Sequence, residues 1–150
     1  MIVAIGADHA GFDLKIRLKR YLASHGHSIT DMGTESTEST DYPRYAFLVA
    51  EAVRDGKAER GVLVCDSGNG IAIAANKVDG IRAAICASAK QAELSRRHND
   101  ANVLVLGSAF ISPDELVPTL EAWLSSPFDG GRHARRVGQI TEYERSRKHR

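Results

Sequence analysis

The chain has 150 residues, 43% of them hydrophobic and 26% charged, and its formal net charge is +1. That length suits one domain with a real core and leaves too little for two. A charge so near zero provides no global field for nucleic acid or an acidic membrane, so any cationic function is local. No apolar run approaches the roughly 20 residues of a bilayer span. The opening MIVAIGADHAGF lacks a basic stretch and reaches Asp8 and His9 too early for a secretion signal, so a strand is expected almost from residue 1. The two cysteines, Cys65 and Cys86, do not form a C-x-x-C pair. Both are read as reduced thiols of a cytoplasmic protein.

Short apolar runs alternate with helical patterns along the chain. IVAIGAD reads as a buried strand. Leu14, Leu18, Tyr21 and Leu22 then fall on one helical face. HSITDMG is a weaker strand, and a polar loop, TESTESTDYP, leads to Pro43 in the first turn of a second helix. Tyr45, Leu48, Val49, Ala52 and Val53 give that helix its apolar face. GVLVCD is a buried strand and GNGIAIAANK a close-packed helix rich in alanine. RAAICA, KQAELSRRHN and NVLVLG read as strand, helix and strand. Ser112 to Glu115 is a capping box that opens a helix through Leu116, Leu120, Trp123 and Leu124. Pro118 inside that helix predicts a kink or a late start. SPFDGG breaks the chain before a charged helical segment, RHARRVGQITEYERSRKHR. The order βαβαβαβαβα plus one helix predicts an α/β fold, a mainly parallel sheet with helices on both faces. Such sheets bind ligands outside the carboxyl ends of their strands.

The stretch CDSGNGIAIAANK, Cys65 to Lys77, follows a buried strand. Gly68-Asn69-Gly70 permits a tight turn, and free N–H groups at the following helix start hold an anion. A dinucleotide loop needs a third small residue where Ile73 stands and an acid after the next strand, where AAICASA has none. A mononucleotide loop needs Gly-Lys-Ser/Thr, which is absent. An oxyanion or polyol pocket fits better. Cys65 ends the strand, where a helix N-terminus is expected to lower a thiol's pKa and make it a nucleophile or base. Cys86 has no such helix start and is assigned to the core. Asp8 and His9 are polar where a plain strand-to-helix turn requires nothing polar. His98, with Asn99 and Asp100, ends a helix and serves either as a cap or as a site residue. No zinc-type spacing joins Asp8, His9 and His98, and no metal is expected. Arg132 and Arg136 share a helical face, a spacing that suits a phosphate.

Taken together, GADHAGF, TDYPRYA, CDSGNGIAIAANK, IRAAICAS, SRRHNDANVLVLG and PFDGGRHARRV closely resemble the type B ribose-5-phosphate isomerases. That family also includes the galactose-6-phosphate isomerase subunits. The resemblance implies a Rossmann-like three-layer α/β/α subunit with a five-stranded parallel sheet, an extra C-terminal helix and one domain over residues 1–150. It implies a homodimer with active sites at the interface, a possible pairing of dimers into tetramers, and interconversion of an aldose and a ketose phosphate without cofactor or metal. Cys65 matches the family's base, since Ile71 stands where another branch carries a glutamate. His98 matches its ring-opening acid/base group. Asp8, His9, Tyr42, Asn99 and the loop Asp66, Ser67, Gly68, Asn69 and Gly70 match sugar contacts, and Arg132 and Arg136 match phosphate contacts. Neither nucleic acid nor membrane is an expected partner.

Two positions depart from the family. A third phosphate arginine is commonly found two residues after the glycine that ends the last strand, where this chain has Ala109, and the residue after the cysteine is often Gly where it has Asp66. Ribose 5-phosphate is the expected substrate, with another tetrose, pentose or hexose phosphate as the alternative. A non-catalytic sugar-phosphate-binding subunit and a nicotinamide- or thiol-dependent oxidoreductase are the competing classes.

Overall fold

The computed structural model describes residues 1–149. Strand β1 (Ile2–Ala7) leads through a 3₁₀ turn at His9–Gly11 into helix α1 (Phe12–Ser24) and strand β2 (Ser28–Asp31). Helix α2 (Tyr42–Arg54), strand β3 (Arg60–Cys65), helix α3 (Asn69–Ala75) and strand β4 (Ala83–Ile85) follow. Helix α4 (Ala89–Asn99), strand β5 (Val103–Gly107), helix α5 (Pro113–Ser125) and helix α6 (Arg132–Arg147) complete the order. All strand pairings are parallel, in the order β2-β1-β3-β5-β4. The expected α/β fold with five parallel strands and a further C-terminal helix is therefore present.

The central strands read as unbroken Val/Leu/Ile runs because both faces of the sheet are covered. Leu63, Val103 and Val105 point into one core, shared with Ala46, Val49 and Ala50 of α2 and Ile71 and Ala75 of α3. Val62, Val64, Leu104 and Leu106 point into the other, shared with Leu18 and Leu22 of α1 and Leu116, Leu120 and Trp123 of α5. Cys86 is 1% exposed in this second core, as expected, and burial pushes its thiol up to about 11.

Local details differ from expectation at three places. The 3₁₀ turn at His9–Gly11 exists because the Asp8 carboxylate accepts the N–H groups of Ala10 (3.0 Å) and Gly11 (3.2 Å). Helix α5 starts at Pro113 and runs on through Pro118 without a late start. Its N-cap is the expected one, with Ser112 Oγ accepting the Glu115 N–H at 3.3 Å. Strand β4 is only three residues long, and the Asn76 side chain exchanges hydrogen bonds of 2.8 and 2.9 Å with the Ala83 backbone beside it. No helix among the described residues is long and apolar enough to cross a membrane.

The chain reverses its winding between β1 and β3, since β2 lies on one side of β1 and the later strands on the other. This opens a crevice at the carboxyl ends of those two strands, the usual ligand position in such sheets. Its floor is held by backbone contacts. Ser108 N–H donates to Cys65 O (2.9 Å) and Ala109 N–H to Asp66 O (3.0 Å). Gly107 permits this approach, because a Cβ there would lie 2.5 Å from Ser67 O.

Gly107→Ala is therefore expected to lower stability by about 1–3 kcal/mol, as overpacking against backbone does. Gly138→Ala, in open space on α6, is expected to stabilise by about 0.5–1 kcal/mol. Urea midpoints for the two variants check both signs.

Candidate active site

Cys65 occupies the last position of β3 and is 4% exposed. Its Sγ accepts the Gly68 N–H at 3.2 Å. Gly68 has φ 83°, a left-handed conformation that turns the chain so that the N–H groups of the loop converge on the sulfur. Burial nonetheless pushes the Cys65 thiol up. The N–H groups of Ile71, Gly68 and Ser67 oppose that rise only in part, and the Asp8 carboxylate adds to it. This corrects the expectation of a lowered thiol pKa: desolvation at the strand end outweighs the pull of a seven-residue helix. Ionising this thiol therefore costs more than ionising an exposed cysteine, and the thiolate it gives is the stronger base.

Around it the carboxyl rim collects the first group of sequence-predicted residues. Asp8 N–H donates to Val64 O at 3.3 Å, which ties Asp8 to the residue before Cys65. His9 Nδ1 lies 3.2 Å from both the backbone N and O of Thr40, so the polar loop before α2 folds over the turn. Tyr42, at the start of α2, lays its ring against Gly70, where any Cβ would collide with it. Ser67 Oγ accepts the Asn69 N–H at 3.1 Å. Asp66 and Ala109, the two departures, are exposed neighbours joined by the 3.0 Å backbone bond.

His98 and Asn99 lie elsewhere. They end α4, which runs back from the carboxyl rim and delivers the chain to the amino end of β5. Arg82, just before β4, donates to the carbonyls of Asn99 and Asp100 at 3.0 Å each, which fixes the position of that end. Five residues of β5 separate the two rims, about 15 Å at strand spacing. Arg132 and Arg136, both exposed at the start of α6, belong with His98. The His98 and His133 rings stack at 4.2 Å with planes 6° apart. Within one chain the predicted site is therefore two half-sites, a thiol and loop on one rim and a histidine with two arginines on the other.

The second half-site contains groups that the sequence did not single out. Asp129 accepts from Arg97 Nε at 3.1 Å, and that guanidinium holds its carboxyl below the usual range. Burial, then the charges of His98, Arg132 and Arg136, hold the His133 imidazole low, with Asp129 opposing. His98, Asp129 and His133 each offer a ligand atom within 4.8 Å of the others. The near-parallel imidazoles do not suit one ion, because each nitrogen lone pair lies in its own ring plane and no point between the rings lies in both. His133 carries no motif spacing relative to His98, so only the fold reveals the pair.

Two adjoining pockets that share Asn76 and Ala83 form a surface groove along the β4 edge. Asn69, Ile73, Asn76 and Ile85 line its upper part, and Asn76, Ala83, Asn99 and Ile140 its lower part. Ile73, Ile85 and Ile140 are 63%, 42% and 50% exposed.

The sequence profile described as Ribose/Galactose Isomerase matches residues 3–140. Ribose-5-phosphate isomerase B of Escherichia coli is 46% identical over 145 residues, with 97% of each chain covered. D-erythrulose-4-phosphate isomerase of Pectobacterium atrosepticum is 43% identical, covering 98% of this chain and 97% of the other. The solved structure of Clostridium thermocellum ribose-5-phosphate isomerase B superposes with a TM-score of 0.96 at 46% identity, over 97% of this chain and 99% of that one. With the sequence profile, two relatives and a solved structure all matching over nearly the whole chain, the protein belongs to the ribose/galactose isomerase family.

Proposed function

We propose that the protein interconverts ribose 5-phosphate and ribulose 5-phosphate as a homodimer with two composite active sites. The observation that carries this reading is the buried Cys65 thiol beneath a loop of convergent N–H groups at the strand-switch crevice. A twofold axis across the β4-edge groove, perpendicular to the strands, sets the Cys65 rim of one copy against the His98 rim of the other. The exposed isoleucines of the groove give that contact its apolar centre.

In that site His98 of the second copy passes a proton between the ring oxygen and the anomeric hydroxyl, which opens the furanose. Cys65, after giving its thiol proton to solvent water, removes the proton from the carbon beside the carbonyl and returns it to the neighbouring carbon, while the hydroxyl proton of the first carbon passes to the former carbonyl oxygen. The charge that develops on the enediolate oxygens meets the N–H groups of the Ser67–Gly70 loop, worth roughly 3 kcal/mol per well-aimed donor. Arg132 and Arg136 of the second copy clamp the phosphate and fix the sugar over the thiol. Asp8, His9, Tyr42 and Asn99 contact sugar hydroxyls. Two reduced cysteines suit a cytoplasmic enzyme. One isomerase domain then spans the chain.

A second reading concerns the substrate alone. Asp66 and Ala109 meet at one exposed point of the rim, which adds a carboxylate and removes a cation there. A tetrose phosphate, as acted on by the Pectobacterium relative by its name, then competes with ribose 5-phosphate. Turnover measured across tetrose, pentose and hexose phosphates decides between them, and no turnover of any of these would leave only a binding subunit.

Cys65→Ala is expected to abolish solvent exchange of the carbon-bound proton while substrate still binds. Retained exchange would sink the base assignment. With furanose ribose 5-phosphate as substrate, Cys65→Ala and His98→Gln homodimers are both expected to be inactive, whereas their random mixture regains about a quarter of wild-type activity, because half the dimers then carry one intact site. No regain on mixing means that the site is not shared. Since burial raises the Cys65 pKa above a free thiol's value, ionisation and hence alkylation are expected to keep increasing beyond pH 9. Iodoacetamide labelling followed by mass spectrometry checks this, and a plateau below pH 8 contradicts it.

A further inference from the structure

Helix α6 projects from the sheet with only one buried residue, His133. The helix is otherwise polar or half-exposed, and a surface helix of this kind rarely buries a lone imidazole without a partner. The partner here is the His98 ring, stacked face to face at 4.2 Å and 6°. The arrangement is braced from both sides. Asp129 N–H donates to Arg97 O at 3.0 Å while the Asp129 carboxylate accepts from Arg97 Nε, so the segment entering α6 is pinned to the last turn of α4. His133 N–H donates to Gly130 O at 3.0 Å, which fixes the first turn of α6 against the same segment.

We propose that His133 is a positioning residue whose imidazole face holds the His98 ring in the orientation needed for ring opening. The inference rests on the acid/base reading of His98. It goes beyond that reading by assigning a role to a residue that itself transfers no proton. Two stacked imidazoles repel a second positive charge; Arg132 and Arg136 add two more beside His133, against the carboxylate of Asp129, while Arg97 is neutralised by its pairing with Glu93 and Asp129. His133 therefore stays neutral and serves as a flat surface, leaving proton exchange to His98. The stack also restrains the imidazole's rotation, so that one ring edge faces the partner's half-site. A displacement of about 1 Å at such a group costs on the order of 100-fold in rate.

The role acts through the ring face, and this separates it from a role for the His133 nitrogens. His133→Phe keeps an aromatic face and has no nitrogen, and His133→Asn keeps polarity and loses the face. The assay follows ribulose 5-phosphate in deuterated water and measures two rates on the same enzyme. One is exchange of the carbon-bound proton, which needs Cys65 and no ring chemistry. The other is formation of the furanose form of ribose 5-phosphate on the enzyme, which needs His98. His133→Asn is expected to lower the ratio of furanose formation to exchange by about 10- to 100-fold with exchange intact, and His133→Phe to restore the ratio to within a few-fold of wild type. Intact exchange also reports that the variant is folded and its composite site assembled. An unchanged ratio in His133→Asn overturns the proposal, and so does a His133→Phe enzyme as impaired as His133→Asn. His98→Gln, run alongside, must lower the same ratio. If it does not, the acid/base reading of His98 fails and the positioning role fails with it. A loss confined to the His133 variants instead assigns the ring chemistry to His133.

Discussion

A parallel sheet joined by helices sorts every connection onto one of two rims. Turns that follow strands gather at the carboxyl rim, and turns that follow helices gather at the amino rim. Cys65 ends a strand and His98 lies at the end of a helix, so no adjustment of side chains brings them together in one subunit. The split between a thiol half and a cationic half is thus a property of the topology, set before any local packing. In the proposed dimer the two halves meet at the β4 edge, which is short and flanked by the exposed Ile73 and Ile85.

The carboxyl rim is rigid for reasons that involve little hydrophobic surface. Neighbouring loops exchange backbone hydrogen bonds. Thr34 N–H donates to Ala7 O at 2.7 Å and Ala7 N–H to Gly33 O at 2.8 Å. Beneath them Lys15, fully buried, donates to Asp31 at 2.7 Å and to Thr34 O at 2.6 Å. A buried ammonium is tolerated only when so fully partnered, and losing either partner exposes its desolvation cost. Burial alone would raise the Asp31 carboxyl, but the hydrogen bonds from Lys15, Lys19 and Gly33 leave it lowered. The polar groups left over at this rim are those around Cys65, which arrive pre-aimed.

Much of this architecture is legible in the letters. Val62–Val64 and Val103–Leu106 stand out because burial on both faces removes the alternation that would blur them. The Ser112 cap and the alanines of α3 are equally visible. The 3₁₀ turn at His9 is less so, since it depends on the Asp8 carboxylate reaching two particular N–H groups. Lys15 reads as a surface lysine of an amphipathic helix until its acceptors are seen. The direction of the Cys65 pKa depends on a burial that no local pattern encodes, and a rule based on helix starts points the wrong way. His98 and His133 are separated by a strand and a helix, so their stack follows from α6 folding back on α4. The rim to which His98 belongs follows from the order of strands and helices alone, whereas the proposed approach to Cys65 involves a second chain.

Cys65 is buried, and the burial that pushes its thiol up has a consequence for the protein's durability. Thiolates attack peroxide and disulfides, so a thiol whose ionisation is disfavoured by desolvation is slow to enter the sulfenic and sulfinic ladder. The same burial that delays its ionisation spares it from oxidants between turnovers. Cys86, still more deeply buried and pushed further up, provides no second thiol to trap it.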